Sequence, residues 1–308
     1  MRMPMGKKLD VICVGAANLD TIASVQHVPG EDERTTTDAF VTAGGGPAAT
    51  AAVTLSRLGA RVGICGVIGD DYAGELVRRM LNEEKVDTTW LRTDARAQTA
   101  QAYVLASRET FTRSIVTTVA TEPSPDQVPI GESTWLHVDQ IGFSSARNAL
   151  RRGDSDTKLS VDAGNPIPDL IVRGVDLYVP TLSVLLKRYN TTDVEDAFMA
   201  AAKDGAHDIV ATAGETGTYV LTSSGVVLIN SVKVDIESTI GAGDVFHGAL
   251  LAGLVRGESL VDATRAANAV AALSCRRLDG RSGIPTLAQL REFISGQSSR
   301  MVVSDCVS

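Results

Sequence analysis

Leu9-Asp10-Val11-Ile12-Cys13-Val14-Gly15, running on into Ala16-Ala17-Asn18-Leu19-Asp20, is the stretch from which the fold is read. Its apolar run, rich in β-branched residues and ended by glycine, predicts a buried strand closed by a turn. Loops after such strands commonly carry function, which directs attention to Asn18 and Asp20. Working outward, residues 44–58 read as a Gly loop entering an Ala-rich helix, 62–67 as a second strand and 74–83 as a second helix. The rhythm returns with strands at 159–161, 177–179, 209–213, 219–221 and 226–232, separated in part by helical stretches such as 194–203. Alternating strands and helices predict a parallel, layered α/β sheet.

Two segments break that rhythm. Residues 35–42 and 100–118 are rich in Thr, Val and Ile with polar alternation, the pattern of strands with one wet face. They predict a small β-sheet outside the main layers, acting as a lid, or alternatively ordinary edge strands of the main sheet. Thr121-Glu122-Pro123-Ser124-Pro125-Asp126 reads as a Pro-rich connector back to the body. Residues 298–308 are expected to form a flexible, fraying tail.

Composition narrows the classes. With 308 residues, 44% hydrophobic and 21% charged, the chain falls among soluble globular proteins. A formal net charge of -8 argues against a broad nucleic-acid or anionic-membrane surface and leaves room only for focal anion sites. Cys13, Cys65, Cys275 and Cys306 are widely spaced, with no CxxC or Cys/His ligand pattern, so they read as reduced thiols of a cytoplasmic protein. The basic start, Met1 to Lys8, is followed by too short an apolar run to be a signal segment, and nothing reaches transmembrane length.

The chemistry concentrates in Gly241-Ala242-Gly243-Asp244-Val245-Phe246-His247-Gly248-Ala249. A Gly-rich turn delivers one carboxylate to the start of an apolar helix, where free backbone N–H groups and the helix dipole favour a phosphate. Asp244 is then either a base or simply the cap of that helix. Gly44-Gly45-Gly46-Pro47-Ala48-Ala49 formally fits a GxGxxA dinucleotide pattern, but that fingerprint belongs directly after the first strand, which here ends at Gly15. A closer fit is a backbone that lets a polyhydroxylated ligand approach, with Asn18 and Asp20 accepting from its hydroxyls. His27, His137, His207 and His247 are scattered and suggest neither a zinc site nor a hydrolase triad; His247 is expected to pack beside the base helix.

Gly44-Gly45-Gly46-Pro47-Ala48-Ala49-Thr50-Ala51-Ala52 with Arg57-Leu58-Gly59, then Gly66-Val67-Ile68-Gly69-Asp70-Asp71-Tyr72-Ala73-Gly74, then Gly241-Ala242-Gly243-Asp244 followed by Phe246, resemble in order and spacing the ribokinase (PfkB) family of sugar kinases. The resemblance implies a three-layer α/β/α core with a small β-sheet lid, the lid strands falling near 20–43 and 98–120 of a domain over 1–297. It implies ATP and Mg2+, transfer of the γ-phosphate to a primary hydroxyl of a small sugar, and pairing of lids into a homodimer. Carried over by position, Asp244 is the base and the amides of Gly241, Ala242 and Gly243 form the anion hole. Asn18, Asp20, Gly45 and Gly46 fall where the family binds sugar. Thr212, Gly214 and Gly217 fall in its nucleotide loop. Asn268 falls near its adenine pocket, a plain core-helix role being the alternative.

Some positions depart from the family pattern. Its Asn-x-x-Glu, which helps organise Mg2+, aligns with Thr181-Leu182-Ser183-Val184, so no metal ligands are assigned. Ser238 and Ile240 stand where monovalent-cation determinants are usual, leaving that cation open. Ala49 and Gly46 replace an Asn or Lys of many relatives, so ribose is not implied. The motifs are most similar to the branch containing bacterial sulfofructose kinase, in which Arg34 would face an anionic sugar substituent, unless it is solvated. Arg276, Arg277 and Arg281 would touch ATP phosphates or stay in solvent. The expected activity is that of a ketose or fructose-derivative kinase; the alternatives are a nucleoside kinase or a catalytically silent sugar or nucleotide sensor.

Overall fold

The computed structural model describes residues 8–153 and 155–304. Strand β1 (Leu9–Val14) is fully buried from Val11 onward, as its β-branched run requires. The chain then makes β2 (Asn18–Val25) and β3 (Phe40–Gly45) before α1 (Pro47–Arg57). Proline suits that first helical turn, since its missing N–H would have no partner there. β4 (Val62–Gly69) leads to α2 (Tyr72–Glu83), whose first turn is closed by Asp71 accepting from the Gly74 N–H at 2.8 Å. There follow β5 (Asp87–Asp94), β6 (Gln101–Ser107), β7 (Arg113–Thr117), β8 (Ser133–Val138) and α3 (Phe143–Arg152). β9 (Lys158–Ala163), β10 (Val175–Pro180), α4 (Leu182–Arg188), α5 (Val194–Lys203) and β11 (Ala206–Thr212) complete the parallel part. β12 (Gly217–Thr222), β13 (Gly225–Asn230), α6 (Ala242–Val255), α7 (Leu260–Ser274) and α8 (Leu287–Ser304) finish the chain.

The large sheet runs β13-β12-β11-β10-β9-β8-β1-β4-β5. From β5 to β11 every pairing is parallel. The chain moves outward from β1 through β4 to β5, then returns to β8 on the other side of β1. That reversal opens a crevice at the carboxyl ends of β1 and β8, the usual ligand position in open α/β sheets. One apolar cluster joins β1 and β4 to α1, α2, α6 and α7; a second fills the opposite side with α3, α4 and α5. The result is the expected three-layer core. Small residues let α1 and α6 cross closely, because a Cβ at Gly248 would lie 2.5 Å from the Ala51 carbonyl oxygen. Truncating a buried α6 residue such as Leu250 to alanine would cost about 2–5 kcal/mol.

A separate four-stranded sheet, β3-β2-β6-β7, supplies the lid. Its alternation follows the strand period: Ile22, Ala102 and Val104 turn inward onto Ile240 and Leu278, while Phe40, Tyr103 and Val116 face out.

Four expectations change. β12 and β13 are antiparallel rather than parallel, since the short links at 213–216 and 223–224 allow hairpins but no crossover. The segment expected as strand over 35–42 is strand only from Phe40, with 33–39 in a loop. β5 and β8, absent from the sequence reading, lie at an edge and in the middle of the sheet; DTTWLRTD and STWLHV lack the β-branched apolar runs that reveal the other strands. Helix α8 extends through 298–304, where a fraying tail was expected, because no proline follows Pro285 to stop it; 305–308 lie outside the described residues.

Candidate active site

The carboxyl ends of the parallel strands and the inner face of the lid enclose a cleft of about 440 Å³. Its floor is the start of α6. Gly241 adopts a left-handed conformation (φ 69°) that few side chains tolerate, and so turns the chain into the helix at the cleft wall. Asp244 follows in the first helical turn with its carboxyl at the cleft surface. The cleft is lined by Asn18, Asp20 and Gly45 from the lid strands, Gly46 at the start of α1, Gln140 after β8, and Asp162, Gly164, Thr181 and Thr212 at the carboxyl ends of β9, β10 and β11. Thr181 caps α4 and bridges to Thr212, the last residue of β11.

The loops behind the cleft are braced by a buried carboxylate that carried no signal in the sequence. Asp139, just after β8, accepts N–H groups from Ala16 (2.8 Å), Ala48 (3.3 Å), Ile141 (2.8 Å) and Gly142 (2.9 Å), tying three loops together. Burial pushes its pKa up to about 6, against those donors, which favour the ionised form. Arg281 is buried likewise: Nη2 donates to the Gly45 carbonyl at 2.8 Å and Nε to Thr50 Oγ1 at 3.3 Å. Burial lowers its pKa to about 10, while Asp20 pulls the other way. The three glycines are explained by these neighbours as much as by any ligand. A Cβ at Gly44 would meet Arg281 Nη1 at 2.1 Å, one at Gly45 would meet Asp20 Oδ2 at 2.0 Å, and one at Gly46 the Ala16 carbonyl oxygen at 2.5 Å.

Three buried side-chain acceptors at or beside the cleft have no partner: Asn18 Oδ1, Asp20 Oδ1 and Gln140 Oε1. Unsatisfied buried acceptors are costly, and together they suit a ligand bearing several hydroxyl donors. Gln140 had no signal in the sequence, because it becomes a cleft residue only through the fold.

The sequence profile of the pfkB family of carbohydrate kinases matches residues 8–287. The chain belongs to this family. Ribokinase of Haemophilus influenzae is 25% identical over 94% of the chain and 99% of its own length. Aminoimidazole riboside kinase of Salmonella typhimurium is 29% identical over 90% of the chain and 94% of its own length. Among solved structures, Arabidopsis thaliana ribokinase complexed with ribose and ATP superimposes with a TM-score of 0.77 at 20% identity, covering 92% of this chain and 98% of that one. The protein is therefore a sugar or nucleoside kinase of the pfkB family.

In this kinase Asp244 is strongly perturbed. Burial, then the negative charge of Asp162, pushes its carboxyl up to about 7, with His247 pulling it down. Asp20 is pushed up to about 6 by burial despite Arg281. His247 does more than pack beside the base helix: it lies on that helix and its Nε2 donates to Asp162 Oδ1 at 3.1 Å.

Several expected residues lie elsewhere. Arg34 sits exposed in the loop between β2 and β3, away from the cleft wall; the lid arginine at the cleft is Arg113, whose Nη1 donates to Thr239 Oγ1 at 3.1 Å. Alternation along β7 turns Arg113, Ile115 and Thr117 inward, a register the sequence did not disclose. Asn268 accepts from Thr218 Oγ1 (2.7 Å) and donates to the Ile229 and Asn230 carbonyls (3.0 and 3.2 Å), so its side chain stitches α7 to β12 and β13 instead of reaching the cleft. Gly214 and Gly217 occupy the turn beyond Thr212, and a Cβ at Gly217 would press on the Ile229 carbonyl at 2.2 Å. Ser238 is buried, its Oγ accepting from the Ile240 N–H at 3.2 Å. Arg281 is buried rather than solvated.

Proposed function

We propose that the chain transfers the γ-phosphate of ATP to a primary hydroxyl of a small sugar, a ketose or fructose derivative being the preferred acceptor. The observation that carries this reading is that Asp244 shares one cleft with the orphaned acceptors Asn18, Asp20 and Gln140 and with Thr181 and Thr212. A sugar held by those acceptors presents a hydroxyl to Asp244, which takes its proton as the oxygen attacks phosphorus. The amides of Gly241, Ala242 and Gly243 then face the charge on the transferring phosphoryl group, the role for which preorganised donors are most effective. ATP as donor is supported by family membership and by the likeness to the ATP-bound ribokinase.

Mg2+ is implied by the family, but the residues at its usual position do not form a cage for it. Thr181 Oγ1 is engaged in capping α4, and Val184 offers no ligand atom. Among the described residues no group of three or more His, Cys, Asp or Glu side chains converges on a metal position. The same gap motivates the silent-sensor alternative. A nucleoside acceptor is favoured by one observation, the apolar wall that Ile22, Ala102, Val104 and Ile115 place on the lid side. The outward Phe40, Tyr103 and Val116 support a homodimer through the lid, which light scattering would reveal as twice the chain mass. The three cysteines among the described residues are free and buried, in keeping with a reducing cytoplasmic setting. No helix of the described residues is long and apolar enough to cross a membrane.

ADP release with Mg2+ and ATP across ketoses, ribose and adenosine tests the reading. A ketose or other free sugar is expected to give turnover; adenosine alone would move the assignment to the nucleoside kinase, and binding without turnover to the sensor. On the accepted substrate, Asp244→Asn should cut kcat by about 10² to 10⁴ with substrate binding retained. Near-normal turnover in that variant would remove Asp244 from its role.

A further inference from the structure

Beside Asp244 lie two buried ionisable groups that proton abstraction does not use. His247 is one helical turn further along α6, and Asp162 lies near the end of β9; both side chains are 5% exposed and their pairing distance is 3.1 Å. Asp162 Oδ1 also accepts the Gly164 N–H at 2.9 Å. His247 Nδ1 is buried with no partner. A buried ion pair is a poor stabiliser, because desolvation of two charges offsets most of their attraction. This one borders the same cleft as the base.

We propose that Asp162 and His247 act as a positioning pair for Asp244, the imidazolium serving as the counter-ion that lets two carboxylates, one reacting and one not, share the floor of the cleft. The inference rests on Asp244 being the base. The charges around the three groups come from every side. His247 faces Asp244 from α6, Asp162 from β9, Asp139 from the loop after β8, Asp20 from β2, and Arg281 from the segment after α7. His137 on β8 lies with its ring 5.7 Å from that of His247 and its Nδ1 3.0 Å from Ser160 Oγ. Burial and the neighbouring His247 hold His137 neutral, with a pKa near 3, which leaves His247 as the ring able to carry a positive charge. Burial opposes that charge, but Asp162, its hydrogen bond and Asp244 together raise His247 above the ordinary histidine range. The two partners act oppositely on the base. Asp162 raises the pKa of Asp244 and His247 lowers it.

The opposition supplies the test. On the sugar accepted in the ADP-release panel, the acidic limb of kcat against pH is measured for the wild type, His247→Gln and Asp162→Asn. His247→Gln should move the limb up by about one pH unit and Asp162→Asn should move it down by a similar amount. KM for sugar and ATP should change little. Loss of activity at every pH with the limb unmoved in both variants would mean a merely structural pair and overturn the proposal. A second measurement does not depend on turnover or on either variant being active. Imidazole ¹⁵N spectra of the wild type should show one ring, the one missing in His247→Gln, still protonated well above pH 6.5. A His247 ring that is neutral at pH 7 would overturn the proposal outright. If no sugar is turned over, the kinase reading fails while the spectra still decide the ion pair.

Discussion

On the core side of the cleft Asp139 gathers four backbone N–H groups, whereas the lid is joined to the core by Arg281 donating to the Gly45 carbonyl of β3 and by Arg113 reaching Thr239 from an exposed strand. The first wall is fixed by buried charge satisfied from the backbone; the second is a thin sheet whose inner face meets the core at Ile240 and Leu278. Local stability should differ accordingly, with opening of the lid costing far less than any disturbance of the floor. On the proposed reading the base stands on the buried wall and the lid takes part in selecting the acceptor.

This contrast can be broken in several ways. The largest effect is expected from Asp139→Ala, which strands four donors in the interior; a loss of about 3 kcal/mol or more in denaturant unfolding is anticipated, and a value under about 1 kcal/mol would contradict a rigid floor. Asn268→Ala should cost about 1–3 kcal/mol while leaving KM for ATP unchanged, because its hydrogen bonds join helix to strands. A rise in KM for ATP without loss of stability would return Asn268 to the nucleotide. Next comes pH. Asp244, with a folded value of about 7, and His247, also raised, both stabilise the fold in their protonated forms, and that stability is lost as pH rises through their folded values. The ligand-free protein should thus melt at a higher temperature at pH 6.5 than at pH 8.5, and Asp244→Asn should flatten the difference. Smallest is Arg113→Ala, which should leave stability within about 0.5 kcal/mol and raise KM for the sugar about fivefold, the worth of one modest hydrogen bond. An unfolding effect as large as that of Asp139→Ala would erase the distinction between the walls.

The legibility of the site in the sequence follows the same division. Asp244 and the preceding glycines could be read because turn, helix start and carboxylate are contiguous, so local chemistry fixes their relation. Asn18 and Asp20 were legible as residues at a strand end. Arg113 was missed because the face it presents is set by the pairing of β7 with β6, a register that no local pattern fixes, while Arg34 is exposed in the β2–β3 loop, as its solvated alternative had it. For Asn268 the helix was recognisable, but not the strand edge that takes up its hydrogen bonds.

By itself the sequence determined the alternation of strands and helices, the one-sided pattern of the segment over 100–118 and the Gly-Ala-Gly-Asp turn, each a matter of short-range periodicity or backbone freedom. Only the tertiary structure decided that Asp139 would gather amides from residues 16 and 48, that Gln140 would line the same cleft as Asp20, and that Asp162 would find His247 across 85 positions of chain. Those relations depend on which strand ends become neighbours at the reversal beside β1. Burial then converts that proximity into hydrogen bonds and shifted charges, because the interior screens charge far less than water does.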